Sequence, residues 1–161
     1  MFRVAVLGAR HVRGVGVRYG SGPEMLEMQN QESYVDDNTY HEVSDETLEG
    51  IAEVVEAVLD AGAVKDGETE LSAGVLNIEL QGGDSIFVLN KQSPNQQIWL
   101  SSPVSGPARF NLDLDRRQWV DARNVDSELL ALLTSELEGL VGGQFDFSHV
   151  GNGVKDYLGT I

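Results

Sequence analysis

The sequence predicts an α+β fold, a two-layer sandwich in which N- and C-terminal helices pack on one face of an antiparallel β-sheet. Three observations carry that expectation. An early segment places apolar residues at steps of three and four, the mark of a helix with one buried stripe. A series of short alternating runs, separated by Gly, Pro, Asn and Asp, reads as a strand meander. A leucine-rich segment then supplies a second helical stripe. Two helices that each offer one stripe cover one face of one sheet, and the other face is left to water or a partner.

The chain has 161 residues, which suits one domain with its own core and a tail. It contains no cysteine. It therefore forms no disulfide, offers no thiol nucleophile and cannot hold an iron–sulfur cluster by the usual ligation. No apolar run approaches the roughly 18 residues of a membrane-spanning helix. The formal net charge is −15. Such a body repels nucleic acid and anionic lipid, so neither is expected as a partner. It attracts cations and basic protein surfaces.

Residues 1–22, MFRVAVLGARHVRGVGVRYGSG, run against that charge. They hold Arg3, Arg10, Arg13 and Arg18, and the first acid is Glu24. An arginine-rich, acid-free segment with apolar residues between its charges fits an organelle transit peptide. The expected location is the mitochondrial matrix, ahead of a plastid. A competing reading is a first nucleotide-binding strand at VAVLG, but Gly8, Gly14 and Gly16 do not form GxGxxG and no βαβ unit follows. Residues 23–37 read as a flexible lead-in.

The first helix is expected from Tyr40 to Ala61. Leu48, Ile51, Ala52, Val55, Val58 and Leu59 form its stripe, with Thr39 and Glu42 as a capping box and Gly62 as the stop. Gly50 inside it costs about 1 kcal/mol relative to alanine, which packing must offset. The remaining face is nearly all carboxylate: Glu42, Asp45, Glu46, Glu49, Glu53, Glu56 and Asp60. Like charges three or four apart destabilise a helix by a few tenths of a kcal/mol per pair, and no lysine or arginine relieves them. Three readings are open. The face is a solvated surface, a surface for a basic partner, or a weak site for hard cations such as Fe²⁺, Mn²⁺, Ca²⁺ or Mg²⁺. His41 is an additional nitrogen ligand or an ordinary exposed histidine. Glu68 and Glu70 extend the carboxylates onto an adjoining strand.

Strands are expected at Glu68–Ser72 and Val75–Leu80, joined by the Ala73–Gly74 hairpin, then at Ile86–Asn90, Gln97–Ser101, Arg109–Leu112 and Gln118–Val120. Ile98 and Leu100 point into the core, so alternation sends Trp99 to the opposite, uncovered face. Around it the polar residues are mostly amides and hydroxyls. Trp119 is read as packing. After Asp126 or Ser127 as a cap, Leu129, Leu130, Leu133, Leu137, Leu140 and Val141 make the second stripe, ended by Gly142–Gly143.

These residues resemble the frataxin family. NKQSPNQQIWLSSPVSGPARF is similar to the family's central block almost residue for residue, flanked by SAGVLNIEL and QWV. YHEVSDETLEGIAEVVEAVLD is similar to its acidic first helix, and the leader to its mitochondrial precursor. The resemblance covers about residues 38–145, with 146–161 as a C-terminal tail that finds no clear match. It implies an iron-binding protein of mitochondrial iron–sulfur cluster assembly. Such a protein docks on the complex of cysteine desulfurase and scaffold protein and promotes sulfur transfer. Family members are also catalogued as ferroxidases and linked to iron storage and haem synthesis, with ferrochelatase as a further partner.

By motif match the resemblance places weak iron binding on Asp45, Glu46, Glu49, Glu53, Glu56 and Asp60, with Glu68, Glu70 and His41. It places partner docking on Asn90, Gln97, Trp99 and Arg109. There are departures. Gln96 stands where many relatives have lysine, removing a charge from the docking face. Ala57 and His41 stand where some relatives have acids, and packing of the tail over the core is in doubt. A dedicated di-iron oxidase shows Glu-x-x-His pairs, and no histidine here has a glutamate three residues earlier. The sequence therefore favours a non-enzymatic regulator over a ferroxidase.

Overall fold

The computed structural model describes residues 35–159. The transit segment and most of the lead-in lie outside the described residues. The elements in chain order are α1 (Asp37–Asp60), β1 (Glu68–Ser72), β2 (Val75–Leu80), β3 (Ser85–Gln92), β4 (Gln97–Ser102), β5 (Gly106–Asp113), β6 (Gln118–Asp121), α2 (Leu129–Val141) and α3 (Ser148–Leu158).

Helix α1 starts earlier than its stripe suggests. Asp36 is the cap: its Oδ1 accepts from the Thr39 N–H at 3.0 Å and its Oδ2 from the Thr39 hydroxyl at 2.5 Å. Those bonds hold the Asp36 carboxyl below the usual carboxylate range. The expected Thr39–Glu42 capping box does not form, because Thr39 already lies inside the helix. Glu42 instead accepts a hydrogen bond from the Tyr157 hydroxyl of α3. Val35, assigned to the lead-in, is buried in the core. The buried face of α1 also includes Tyr40, Val43, Ser44 and Thr47, one to two turns ahead of the expected stripe. Gly62, with φ +70°, ends the helix as expected.

The strands form one antiparallel sheet in sequence order, β1-β2-β3-β4-β5-β6. The β1–β2 turn has φ +49° at Ala73 and +76° at Gly74. That pair of positive angles is the two-residue hairpin geometry that matches strand twist. Alternation sorts the sheet cleanly. Leu76, Ile78, Leu80, Phe87, Leu89, Ile98, Leu100, Phe110, Leu112 and Trp119 are buried. They meet Leu48, Ile51 and Val55 of α1, Leu129, Leu133 and Leu137 of α2, and Val150, Val154 and Leu158 of α3. Trp119 is packing, as expected: it is 1% exposed, lies edge-on to Tyr40 and donates to Thr47 Oγ1 at 3.0 Å.

Helix α2 is capped by Glu128, whose carboxylate accepts from the Leu130 and Ala131 N–H groups, and not by Asp126 or Ser127. It ends at Gly142 with φ +68°. The tail then forms α3, a helix outside the two read from periodicity. It crosses α1 at Gly50, where an added Cβ would stand 2.8 Å from Val150 Cγ2. The glycine that weakens α1 is thus a place where Val150 of α3 packs tightly against it.

Candidate functional site

Among the described residues no element covers the sheet face away from the helices, and its centre is built by three neighbouring strands. Asn90 on β3, Trp99 on β4 and Arg109 on β5 are register partners in a row. Trp99 is half-buried, flanked by the core residues Ile98 and Leu100 that point the other way. The Arg109 guanidinium lies over the indole, 4.7 Å from the ring centroid. The indole N–H donates to Gln97 Oε1 at 2.8 Å, and Gln97 Nε2 donates to Asn111 Oδ1 at 2.8 Å. Gln97 is only 7% exposed, so its amide orients the ring and offers little surface of its own. A shallow cavity of about 350 Å³ opens beside the ring, lined by Val88, Asn90, Trp99, Pro107, Arg109 and Arg123, among others. A concave, uncharged floor with a fixed aromatic and a cationic rim suits a protein partner's projecting side chain.

Gln96, expected on this face, leads away from it. Its backbone is left-handed (φ +50°), and its Nε2 donates to Val35 O and to Asp37 Oδ1, both at 2.9 Å. The residue ties the β3–β4 turn to the start of α1. A missing lysine at this position therefore changes that clasp before it changes the face around Trp99.

The carboxylates of α1 form the second surface. Glu42, Glu46, Glu49, Glu53, Glu56 and Asp60 are exposed, and Asp45 is half-buried. The expectation that no cation relieves them fails at one position: Lys91 Nζ of β3 stands 2.5 Å from Asp45 Oδ1. The relief comes from the sheet, so the helix's own sequence could not show it. Among the described residues this is the one salt bridge to an α1 carboxylate. Glu68 and Glu70 on β1 pair in register with Glu79 and Asn77, opposite the buried alternates of β2, so they stand on the uncovered face of the edge strand. His41 is half-buried against the Tyr40 ring at 5.4 Å. Among the described residues, no three His, Asp or Glu side chains converge on one point. The helix thus presents a row of separate, solvated oxygens, a geometry for weak, labile contact with hard cations or for long-range attraction of basic surfaces.

Among the described residues no helix is long and apolar enough to cross a membrane. Residues 33–143 match the family model of the Frataxin-like domain. The chain is 40% identical over 111 residues to mitochondrial frataxin of Dictyostelium discoideum, an alignment covering 69% of this chain and 56% of that one. It is 41% identical over 99 residues to the mitochondrial frataxin homolog of Saccharomyces cerevisiae, covering 62% and 55%. The chain thus spans a little over half the length of these relatives. Their mitochondrial location is the one expected from the leader. A crystal structure of trimeric frataxin from the same yeast, complexed with ferrous iron, superposes with a TM-score of 0.53 at 32% identity, covering 75% of this chain and 99% of that one. The α+β sandwich is shared with that solved structure, and the chain belongs to the frataxin-like family.

Proposed function

We propose that the chain is an iron-binding regulator of mitochondrial iron–sulfur cluster assembly. It docks on the cysteine desulfurase–scaffold complex through the uncovered sheet face and promotes sulfur transfer there. The observation that carries this reading is Trp99. Its large ring is left partly exposed, is held by Gln97 and Arg109, and sits beside a cavity on a face that no described element covers. Keeping such a ring out of the core forgoes burial energy, which suits an anchor for a partner. The absence of cysteine assigns the persulfide and the cluster to the partners.

The ridge has a different task. The exposed carboxylates of α1 attract the basic surface of the desulfurase and speed the encounter. The same oxygens hold Fe²⁺ weakly, as support from the relative in ferrous complex suggests. Here iron is cargo or effector. Among the described residues the ridge carboxylates do not converge on one point, which favours weak, labile binding. The test is sulfide release by the desulfurase–scaffold complex with native chain and with Trp99→Ala, each with and without ferrous iron. Activation lost in the variant in both conditions supports docking through this face, and equal activation by the two proteins removes it.

A further inference from the structure

The ion pair between Lys91 and Asp45 assigns a role that the family of carboxylates alone does not have. The inference rests on the proposed cation binding by the ridge. Lys91 lies on β3 among the helix-facing residues, two positions beyond Leu89 and four beyond Phe87, both buried. Its ammonium is 2.5 Å from Asp45 Oδ1, and the two side chains are 15% and 48% exposed. The lysine is therefore mostly covered, while the carboxylate it meets still faces water.

The stem is also held in place. Lys91 N–H donates to Gly74 O at 2.8 Å. An added Cβ on Gly74 would stand 3.4 Å from Lys91 Cβ and 3.6 Å from its Cε, so the β1–β2 turn lies directly on the stem. A lysine free in water loses rotamer entropy when it pairs, which is why exposed pairs contribute little. Here packing has already restricted the stem, and the ammonium is delivered to Asp45 at reduced entropic cost. On the same strand the flanking residues Asn90 and Gln92 alternate to the opposite face, and Asn90 is the register partner of Trp99.

We propose that Lys91 is a tethered counter-cation that competes with metal for the Asp45 end of the ridge. A hard cation that takes Asp45 Oδ1 must displace the ammonium or share the carboxylate with a like charge. Cation affinity is consequently lower at Asp45 than along Glu49, Glu53 and Glu56, which have no such partner among the described residues. Metal that does reach Asp45 releases Lys91 at the junction between the ridge and the strand that carries Asn90.

The test uses the full chain. Lys91→Met keeps the apolar stem and removes the charge. Anaerobic calorimetric titration with Fe²⁺ is expected to show about three- to fivefold tighter binding in the variant, the factor corresponding to an ion pair of this exposure. In the native protein, titration with diamagnetic Ca²⁺ is expected to move the Lys91 Cε methylene signal toward that of a free lysine, together with the Glu49 and Glu53 amides. The second measurement needs no variant. Unchanged Fe²⁺ affinity with an unmoved Lys91 signal, while the Glu49 and Glu53 amides shift, overturns the competition and leaves the cation-binding ridge standing. No shift along α1 in either protein overturns the ridge reading and the competition with it.

Discussion

The Arg109 guanidinium lies over the Trp99 ring at 4.7 Å while Gln97 holds the indole N–H from the side at 2.8 Å. The ring is thus fixed before any partner arrives, and a fixed aromatic loses less entropy on docking than a free one. Trp99→Ala is expected to cost the fold about 1–3 kcal/mol, since the ring is only partly exposed, the cation–π contact contributes roughly 0.5–1 kcal/mol and the buried Gln97 Oε1 loses its donor. Activation of the desulfurase complex is expected to fall by about tenfold or more, the scale of a central aromatic anchor. Chemical denaturation and sulfide release check the two halves separately. A variant that loses stability well beyond that range would place the indole in the core and remove the docking argument.

Gly50 and Val150 define the contact between α1 and the tail helix α3. An alanine at position 50 gains about 1 kcal/mol of helix propensity, but its Cβ would stand 2.8 Å from Val150 Cγ2. Valine is stiff about χ1, so the methyl has no easy escape, and overpacking of this kind costs about 1–3 kcal/mol. Gly50→Ala is therefore expected to destabilise the chain by up to about 2 kcal/mol. Val150→Ala is also expected to destabilise, through lost packing. The double variant should be more stable than the sum of the singles predicts, by about 1 kcal/mol or more. Urea unfolding of the four proteins measures the coupling. Additive effects would mean that the helices do not meet at these residues.

The strands were legible because each reports its own environment: alternation around Ile98, Trp99 and Leu100 sorts core from surface without help from elsewhere. The acidic face of α1 was legible for the same reason. What periodicity missed depends on distant residues. Tyr40, Val43 and Thr47 are buried by the sheet and by Trp119, so the stripe read from aliphatic spacing began too late. Lys91 and Asp45 are 46 positions apart, and neither segment announces the other. Helix α3, with Gly151 and Gly153 inside it, has low intrinsic propensity and exists through Val150, Val154 and Leu158 in the core. The docking and metal-ligating roles rest on motif resemblance, and the geometry shows where those side chains stand.

Reversing charge at two ridge positions separates function from stability. In Glu49→Lys/Glu53→Lys, Asp45, Glu46 and Glu56 gain attractive neighbours at helical spacing in place of repulsive ones. Each pair changes by a few tenths of a kcal/mol, so the helix is expected to become more stable at low salt. The gain should shrink as ionic strength rises and the Debye length falls below about 10 Å. Iron affinity and encounter with the desulfurase should both weaken. Thermal unfolding across a salt series and anaerobic titration with ferrous iron check these outcomes. Unchanged iron binding would move the site off α1.

Tyr40 supplies a pH signature of the core beneath the Trp99 face. It is 1% exposed and donates its hydroxyl to Gln97 O at 2.9 Å, on the residue that orients Trp99. Burial raises its ionisation far above the ordinary value of 10.0. The sign follows from linkage. Below pH 10 both states keep the proton and the contribution is constant. Above it the unfolded chain ionises while the folded one does not, so stability falls with rising pH until the buried phenol itself ionises. The expected loss is about 1.4 kcal/mol per pH unit for this one group. Tyr40→Phe lacks the group. At neutral pH it should be less stable by about 1 kcal/mol, because Gln97 O loses a buried donor. Between pH 10 and 11 its urea midpoint should fall less steeply than that of the native chain, and the gap between the two proteins should close. Parallel lines over that range would show that the phenol ionises alike in both states, and Tyr40 would then not be the buried support on which the Trp99 face rests.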